Sequence, residues 1–234
     1  ILELSQVSQL PDADLYLVVA PADQQDIGQE RSLARSLYNA GKKVLVVVNQ
    51  FPPASAPAER VLSAPDPWGT RRNVVRGSVL DTAFLSGPFS QAVIHLLPTQ
   101  LLSLGRNFPL FRVPIAQYLI NDACLSNAAY ALSTGLAETI AVLDIPITVA
   151  DMIILSKNQA FLAYKLGLVF GFSTYWQDYL TEFGSVLGGG FLWRQLARTL
   201  VGLIPVWGLL PKIAVSYAGT YVVGQAILQW YLTG

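Results

Sequence analysis

Residues 15–49 read LYLVVAPADQQDIGQERSLARSLYNAGKKVLVVVN, and this stretch decides the fold. Leu15 to Ala20 is a continuous apolar run between Asp14 and Pro21, the pattern of a buried strand. Gly28 to Ala40 sets Leu33, Leu37 and Ala40 on one side with charges between them, an amphipathic helix stopped by Gly41 in a C-cap role. Lys43 to Val48 is a second apolar, β-branched run. Strand, helix and strand in this order make a βαβ unit, whose strands are expected to be parallel.

Outward from that unit, the prolines between Phe51 and Thr70 remove all periodicity and predict an extended loop. Asn73 to Val79 is expected as a third strand, and Phe89 to Leu97 as a short helix ended by Pro98. Residues 1–105 thus read as an α/β domain with a partial, parallel, doubly wound sheet. The composition changes between Pro109 and Pro114. Residues 106–234 read as an all-α apolar helical domain. Ala116 to Leu143 carries only Asp122 and Glu138 as charges, and Thr148 opens a helix running to about Phe170, with Asp151 three residues on as a capping-box acid. Gly188 to Gly190 precedes a helix expected over Phe191 to Ile204, and Lys212 opens a final helix.

Composition explains why the second half needs a cover. Hydrophobic residues make up 53% of the chain and charged residues 13%, against about 25% charged in ordinary soluble domains. A large core, lipid or a partner must absorb that apolar surface. Net charge is +0, so there is no basic field to recruit nucleic acid. Cys124 is the single cysteine. It cannot close an intrachain disulfide, which suits a reducing compartment, and no Cys/His cluster is present for zinc. Ile1 stands where a methionine is expected, which suggests a chain whose beginning lies upstream.

Ile213 to Leu232 approaches the ~20 residues that cross a bilayer. Ser216, Thr220 and Gly224 recur every fourth residue, a small-residue stripe for close helix packing, and Trp230 and Tyr231 lie at one end. Its Ile, Val and Leu residues favour insertion by roughly 2 to 4 kcal/mol, opposed by Gln225 and Gln229; Glu138 similarly opposes insertion of Leu125 to Leu143. Neither helix inserts decisively alone. The two covers left open are a membrane-embedded bundle and a tightly packed soluble one. Asp151, Asn158 and Lys165 fall seven residues apart, a polar line that either fixes bundle register, lines an ion path or faces solvent.

Motifs for chemistry are few. Gly41-Lys42 is followed by Lys43, so no phosphate-binding Walker A pattern exists, and no GxSxG elbow is present. His95 is the single histidine and sits in an apolar helix, where a structural role is expected. The glycine triplet before Phe191 suits either an anion at a helix N-terminus or a hinge.

Leu45 to Pro52, LVVVNQFP, resembles the fourth nucleotide-binding motif, Asn-Lys-x-Asp, of translation-factor-like GTPases. Asn49 matches the asparagine; Gln50 replaces the lysine that packs over the base, and Pro52 replaces the aspartate that reads guanine. Asn73 to Ser78, NVVRGS, resembles the strand leading to the fifth motif, which would set Ser78 beside the base. Behind these, RNFPLFRVPIAQYLINDACLSNAAYAL, DIPITVADMIILSKNQAFLAYKLGLVFG, GGGFLWRQLARTLVGLIP and PKIAVSYAGTYVVGQA resemble, in order and spacing, a helical domain of unknown function. That domain is found fused behind bacterial Era-like GTPase domains and is regarded as membrane-associated.

The resemblance implies a membrane-associated, GTPase-like regulatory or scaffolding protein on the cytoplasmic side. GTP or GDP with Mg²⁺ would belong to a longer parent chain that holds the phosphate-binding loop and DxxG. These residues alone are not expected to hydrolyse GTP, since the groups that hold phosphate and metal are absent. Membrane lipid or membrane proteins are the expected partners, nucleic acid is not, and a homo-oligomer stays open. Two other readings compete: a structural subunit of a membrane complex with no nucleotide role, and a transport-related bundle using Asp151, Asn158 and Lys165.

Overall fold

The structure is a computed structural model that describes residues 11–23, 26–51, 73–140, 146–175, 177–178 and 209–233, with the side chains of 134–156 and a few near 212 outside the description. The chain forms two compact units, Ile1–Leu101 and Leu102–Gly234. A small three-stranded parallel sheet with helices occupies the first, and long helices make up the second.

In the first unit, β1 (Tyr16–Pro21), α1 (Gly28–Asn39) and β2 (Val44–Asn49) form the expected βαβ unit, and β3 (Val74–Gly77) adds to the far side of β2. Both pairings are parallel, with Val18 opposite Val46 and Val46 opposite Val74. Helix α1 starts where Asp26 accepts a 2.9 Å hydrogen bond from the Gly28 N–H, satisfying one of the orphan donors of the first turn. It ends in a Schellman turn. Gly41 takes φ of +72°, the Lys42 N–H reaches the Leu37 carbonyl and the Gly41 N–H reaches that of Tyr38. Only glycine adopts that backbone without strain, which is why the helix stops there.

Ala34 and Leu37 of α1 press on Val18, Ala20, Val44, Val46 and Val48, one face of the sheet. Each fully buried aliphatic side chain there contributes roughly 1.5–3 kcal/mol. The other face is uneven. Leu45 and Val47 of β2 are buried, while their neighbours in register, Leu17 and Val19, are 50% and 54% exposed. The expectation that Leu15 to Ala20 is buried on both faces is therefore corrected. Among the described strands β2 is the middle one and is buried on both faces, while β1 lies at the edge with one face covered. An unbroken apolar run does not distinguish the two cases.

The segment after β3 also departs from expectation. The helical stretch begins at α2 (Thr82–Phe84), not at Phe89, and reaches α3 (Ser90–Leu96) through a π-helical turn over Leu85–Phe89. Asp81 caps it by accepting from the Ala83 N–H at 2.9 Å. Pro88 has no N–H to donate to the helical ladder, so the turn widens at that point. The buried Ser90 hydroxyl donates to the Leu85 carbonyl at 2.6 Å, satisfying an acceptor the wide turn releases. His95 is exposed on α3, so it is not the buried structural histidine that its apolar surroundings suggested.

In the second unit, α4 (Leu101–Asn107) and a 3₁₀ turn (Pro109–Phe111) lead into α5 (Arg112–Ile140). Helices α6 (Pro146–Phe170) and α7 (Leu209–Thr233) complete the described part. Helix α6 begins with Pro146 at its first position rather than at Thr148, since proline's missing N–H costs nothing in a first turn. It ends at Gly171, φ +88°, in a second Schellman turn with the Phe172 N–H on the Gly167 carbonyl. Expectations placed on Gly188 to Gly190 and Phe191 to Ile204 lie outside the described residues.

Among the described helices, α5 packs against both of the other long ones. Asn127 meets Asn158 of α6 and Thr220 of α7. Nearer the start of α5, Ile120 meets Gly224 and Gln117 meets Gln225. Contacts that rise along α7 as they fall along α5 mean antiparallel helices. The core between them is Ile115, Leu119, Ile120 and Cys124 against Leu162, Leu166 and Val169 and against Val223, Ile227 and Leu228. At one end Phe170 stacks on Tyr231, with ring centroids 5.3 Å apart.

Candidate functional site

The first candidate lies at the carboxyl ends of β2 and β3, the edge where open parallel sheets receive ligands. Asn49 closes β2, and its carbonyl Oδ1 accepts a 3.0 Å hydrogen bond from the Val79 N–H. The Gln50 N–H donates to the Gly77 carbonyl at 3.0 Å, and the Ala22 N–H donates to the Asn49 carbonyl at 2.9 Å. Asn49 thereby ties together the loops that follow all three strands. Ser78 is 4% exposed, and its hydroxyl accepts from the Leu80 N–H at 3.2 Å. The Ser78 carbonyl accepts from the Asp81 N–H, and Asp81 then caps α2. Gly77 must be glycine because an added Cβ would run into the Phe84 ring.

Asn49, Gln50 and Ser78 are therefore neighbours at one edge. Among the described residues the Asn49 amide N–H₂ has no protein partner, so it is free to donate outward. Phe51 follows at 66% exposure. Pro52 lies outside the described residues. Nothing among the described residues supplies a glycine-rich phosphate cradle, and no group of three or more His, Cys, Asp or Glu there could hold a metal ion.

The second candidate is in the helical unit. Asn127, 0% exposed, joins the three long helices among the described residues. Its Nδ2 donates to Thr220 Oγ1 at 2.8 Å, its Oδ1 accepts from Asn158 Nδ2 at 2.7 Å, and its backbone carbonyl accepts from Ser216 Oγ at 3.0 Å. Thr220 Oγ1 in turn donates to the Ser216 carbonyl at 2.8 Å. Gln117 and Gln225 exchange hydrogen bonds nearer one end.

The stripe Ser216, Thr220 and Gly224 faces α5. A Cβ on Gly224 would stand 2.9 Å from both γ carbons of Ile120. Of the polar line, Asn158 joins the buried network, and Lys165 and Asn158 both border a small cleft between α5 and α6. The Asp151 backbone is in α6 and its side chain lies outside the described residues. Sequence reasoning did not single out Asn127. The available signal was its position as an amide inside an apolar helix, since such a group demands a partner. Burial pushes the Cys124 thiol up to about 11 and leaves it inert.

No helix among the described residues is long and apolar enough to cross a membrane. This includes Leu209–Thr233, where a span was weighed. Comparison with protein families, with curated proteins and with solved structures finds no match.

Proposed function

We propose that the α/β unit is the base-binding part of a GTPase-like nucleotide domain, and that the helical unit is the scaffold this domain regulates at a membrane surface. The observation that carries the first half is the Asn49–Val79 hydrogen bond. It holds an asparagine amide at the carboxyl edge of a parallel sheet beside the Ser78 loop, the arrangement expected of the fourth and fifth motifs in the resemblance. With Gln50 in the lysine position, guanine selectivity is weak, since a base edge left unread is poorly discriminated.

The saturated hydrogen bonding around Asn127 supports a scaffolding role for the helices more than a transport role. Satisfied buried polar groups fix one register, whereas a conducting path needs groups open to the ion. The exposed aromatic and aliphatic residues of the second unit, among them Leu125, Phe161, Val222 and Trp230, support contact with lipid or a membrane protein. With no helix among the described residues apolar enough to span, that contact is at the surface. Two measurements test the reading. Binding of GDP followed at the Asn49 and Val79 amides tests the nucleotide half. Membrane fractionation with a carbonate wash tests the other, with the protein expected in the pellet before the wash and released by it. Protein that stays in the supernatant without detergent overturns the membrane assignment.

A further inference from the structure

The helical unit holds a cleft of about 120 Å³ between α5 and α6, room for about four waters. Two opposite charges border it. The Asp122 carboxylate from α5 is exposed, and the Lys165 ammonium from α6 rests 4.6 Å from the centre of the Phe161 ring. Neither forms an ion pair with any described residue, although both line the same space. Part of the lining is polar and held in place. Asn158 is held by donating its Nδ2 to Asn127, which leaves its Oδ1 free toward an incoming donor. Ser126 also lines the cleft.

We propose that this cleft binds a small zwitterion carrying a primary ammonium and an oxyanion, with the ammonium on Asp122 and Asn158 Oδ1 and the oxyanion on Lys165. Neither half alone satisfies both walls. A simple cation leaves Lys165 facing a like charge, and a simple anion does the same to Asp122. The Phe161 ring orients Lys165 by attracting the cation, which lowers the cost of holding a long side chain in place. The charges stay near water, so affinity is modest, in the high-micromolar to millimolar range. The same chemistry occurs free, as phosphoethanolamine, and on a phosphatidylethanolamine headgroup.

The test titrates the whole chain with phosphoethanolamine, ethanolamine and inorganic phosphate, followed by amide resonances. Saturable shifts confined to residues 119–127 and 158–165 are expected with phosphoethanolamine, and about tenfold weaker binding of either half. Asp122→Asn and Lys165→Met should each weaken binding about tenfold, while the resonances of the buried Ile227 and Leu228, away from the cleft, report an intact bundle. Should a variant disturb those resonances, the wild-type comparison of the three ligands decides alone. Phosphatidylethanolamine vesicles that shift the cleft, where phosphatidylcholine vesicles do not, identify the headgroup as the source; a response to the soluble compound only identifies the free form. No saturable shift with either source overturns the proposal. So does equal binding of phosphate or ethanolamine, or binding unchanged in both variants.

Discussion

Asn127 and Thr220 are 93 residues apart in the chain and are joined by a 2.8 Å hydrogen bond between two buried side chains. Asn158 adds a third helix to the same amide at 2.7 Å. A sliding or rotated α7 would break this set and leave several buried polar groups without partners, each costing about 1–3 kcal/mol. The apolar contacts around it are far less discriminating, since Leu, Ile and Val surfaces pack in many registers. The network therefore selects one arrangement of the three helices.

Replacing Asn127 tests that role. Asn127→Ala is expected to destabilise the helical unit by roughly 2–5 kcal/mol, because it creates a small cavity and strands Thr220 and Asn158. A triple variant with Asn127→Leu, Asn158→Leu and Thr220→Val should recover a large part of that loss, since an apolar set of similar volume leaves nothing unsatisfied. Urea denaturation measures both. A single variant as stable as the parent would mean that the network contributes nothing.

Two glycines separate steric need from backbone preference. Gly77→Ala drives a Cβ into the Phe84 ring and should cost roughly 1–3 kcal/mol by overpacking. An added Cβ on Gly87 meets nothing beyond its chain neighbours and its own helix; helix propensity favours alanine there, the ring of the following Pro88 opposes it, and Gly87→Ala should stay within about 1 kcal/mol of the parent. Thermal melts of the two variants are expected to move in opposite directions or differ clearly in size.

Cys124 carries a pH dependence. Its thiol is neutral in the fold with a pKa raised from 9.0 to about 11 by burial. Below pH 9 the folded and unfolded chains hold the same proton, and this contribution is fully present. Between pH 9 and 11 the unfolded chain loses the proton first, so stability falls as pH rises, by roughly 2–3 kcal/mol in all. Cys124→Ala should flatten that part of the profile. In the native protein at neutral pH, a thiol reagent should label Cys124 no faster than the helical unit opens.

Much of the fold could be read directly from residues. The alternation of LYLVVA, an amphipathic turn and KVLVVV leads to parallel strands because β-branched runs and a glycine-stopped helix have few other solutions. What could not be read is whether a strand is central or at an edge, and Leu17 against Leu45 shows why: both are leucines in apolar runs, and only the neighbour count differs. The π turn at Pro88 escaped because proline usually signals an end, whereas here Ser90 repairs the ladder. At the sheet edge, Asn49, Gln50 and Ser78 were legible through their motif positions, while the Val79 N–H that holds Asn49 was not. In the bundle, the heptad spacing exposed Asn158 and Lys165 but gave no hint of Asn127, whose partners come from helices distant in sequence.

The nucleotide assignment is tested most directly at the Asn49 amide. Without phosphate-binding groups the affinity should be in the millimolar range, about 4 kcal/mol of binding free energy. Titration of the 234-residue chain with GDP should shift the resonances of Asn49, Gln50, Ser78 and Val79 in a saturable way, and Asn49→Leu should abolish the response with the β2 amides otherwise unchanged. Guanosine should act like GDP, since the contacts are to the base, and ADP should bind within about tenfold because Gln50 leaves the base edge poorly read. No shift at these residues up to the solubility limit of guanosine and at millimolar GDP, or shifts that persist in Asn49→Leu, would contradict the account.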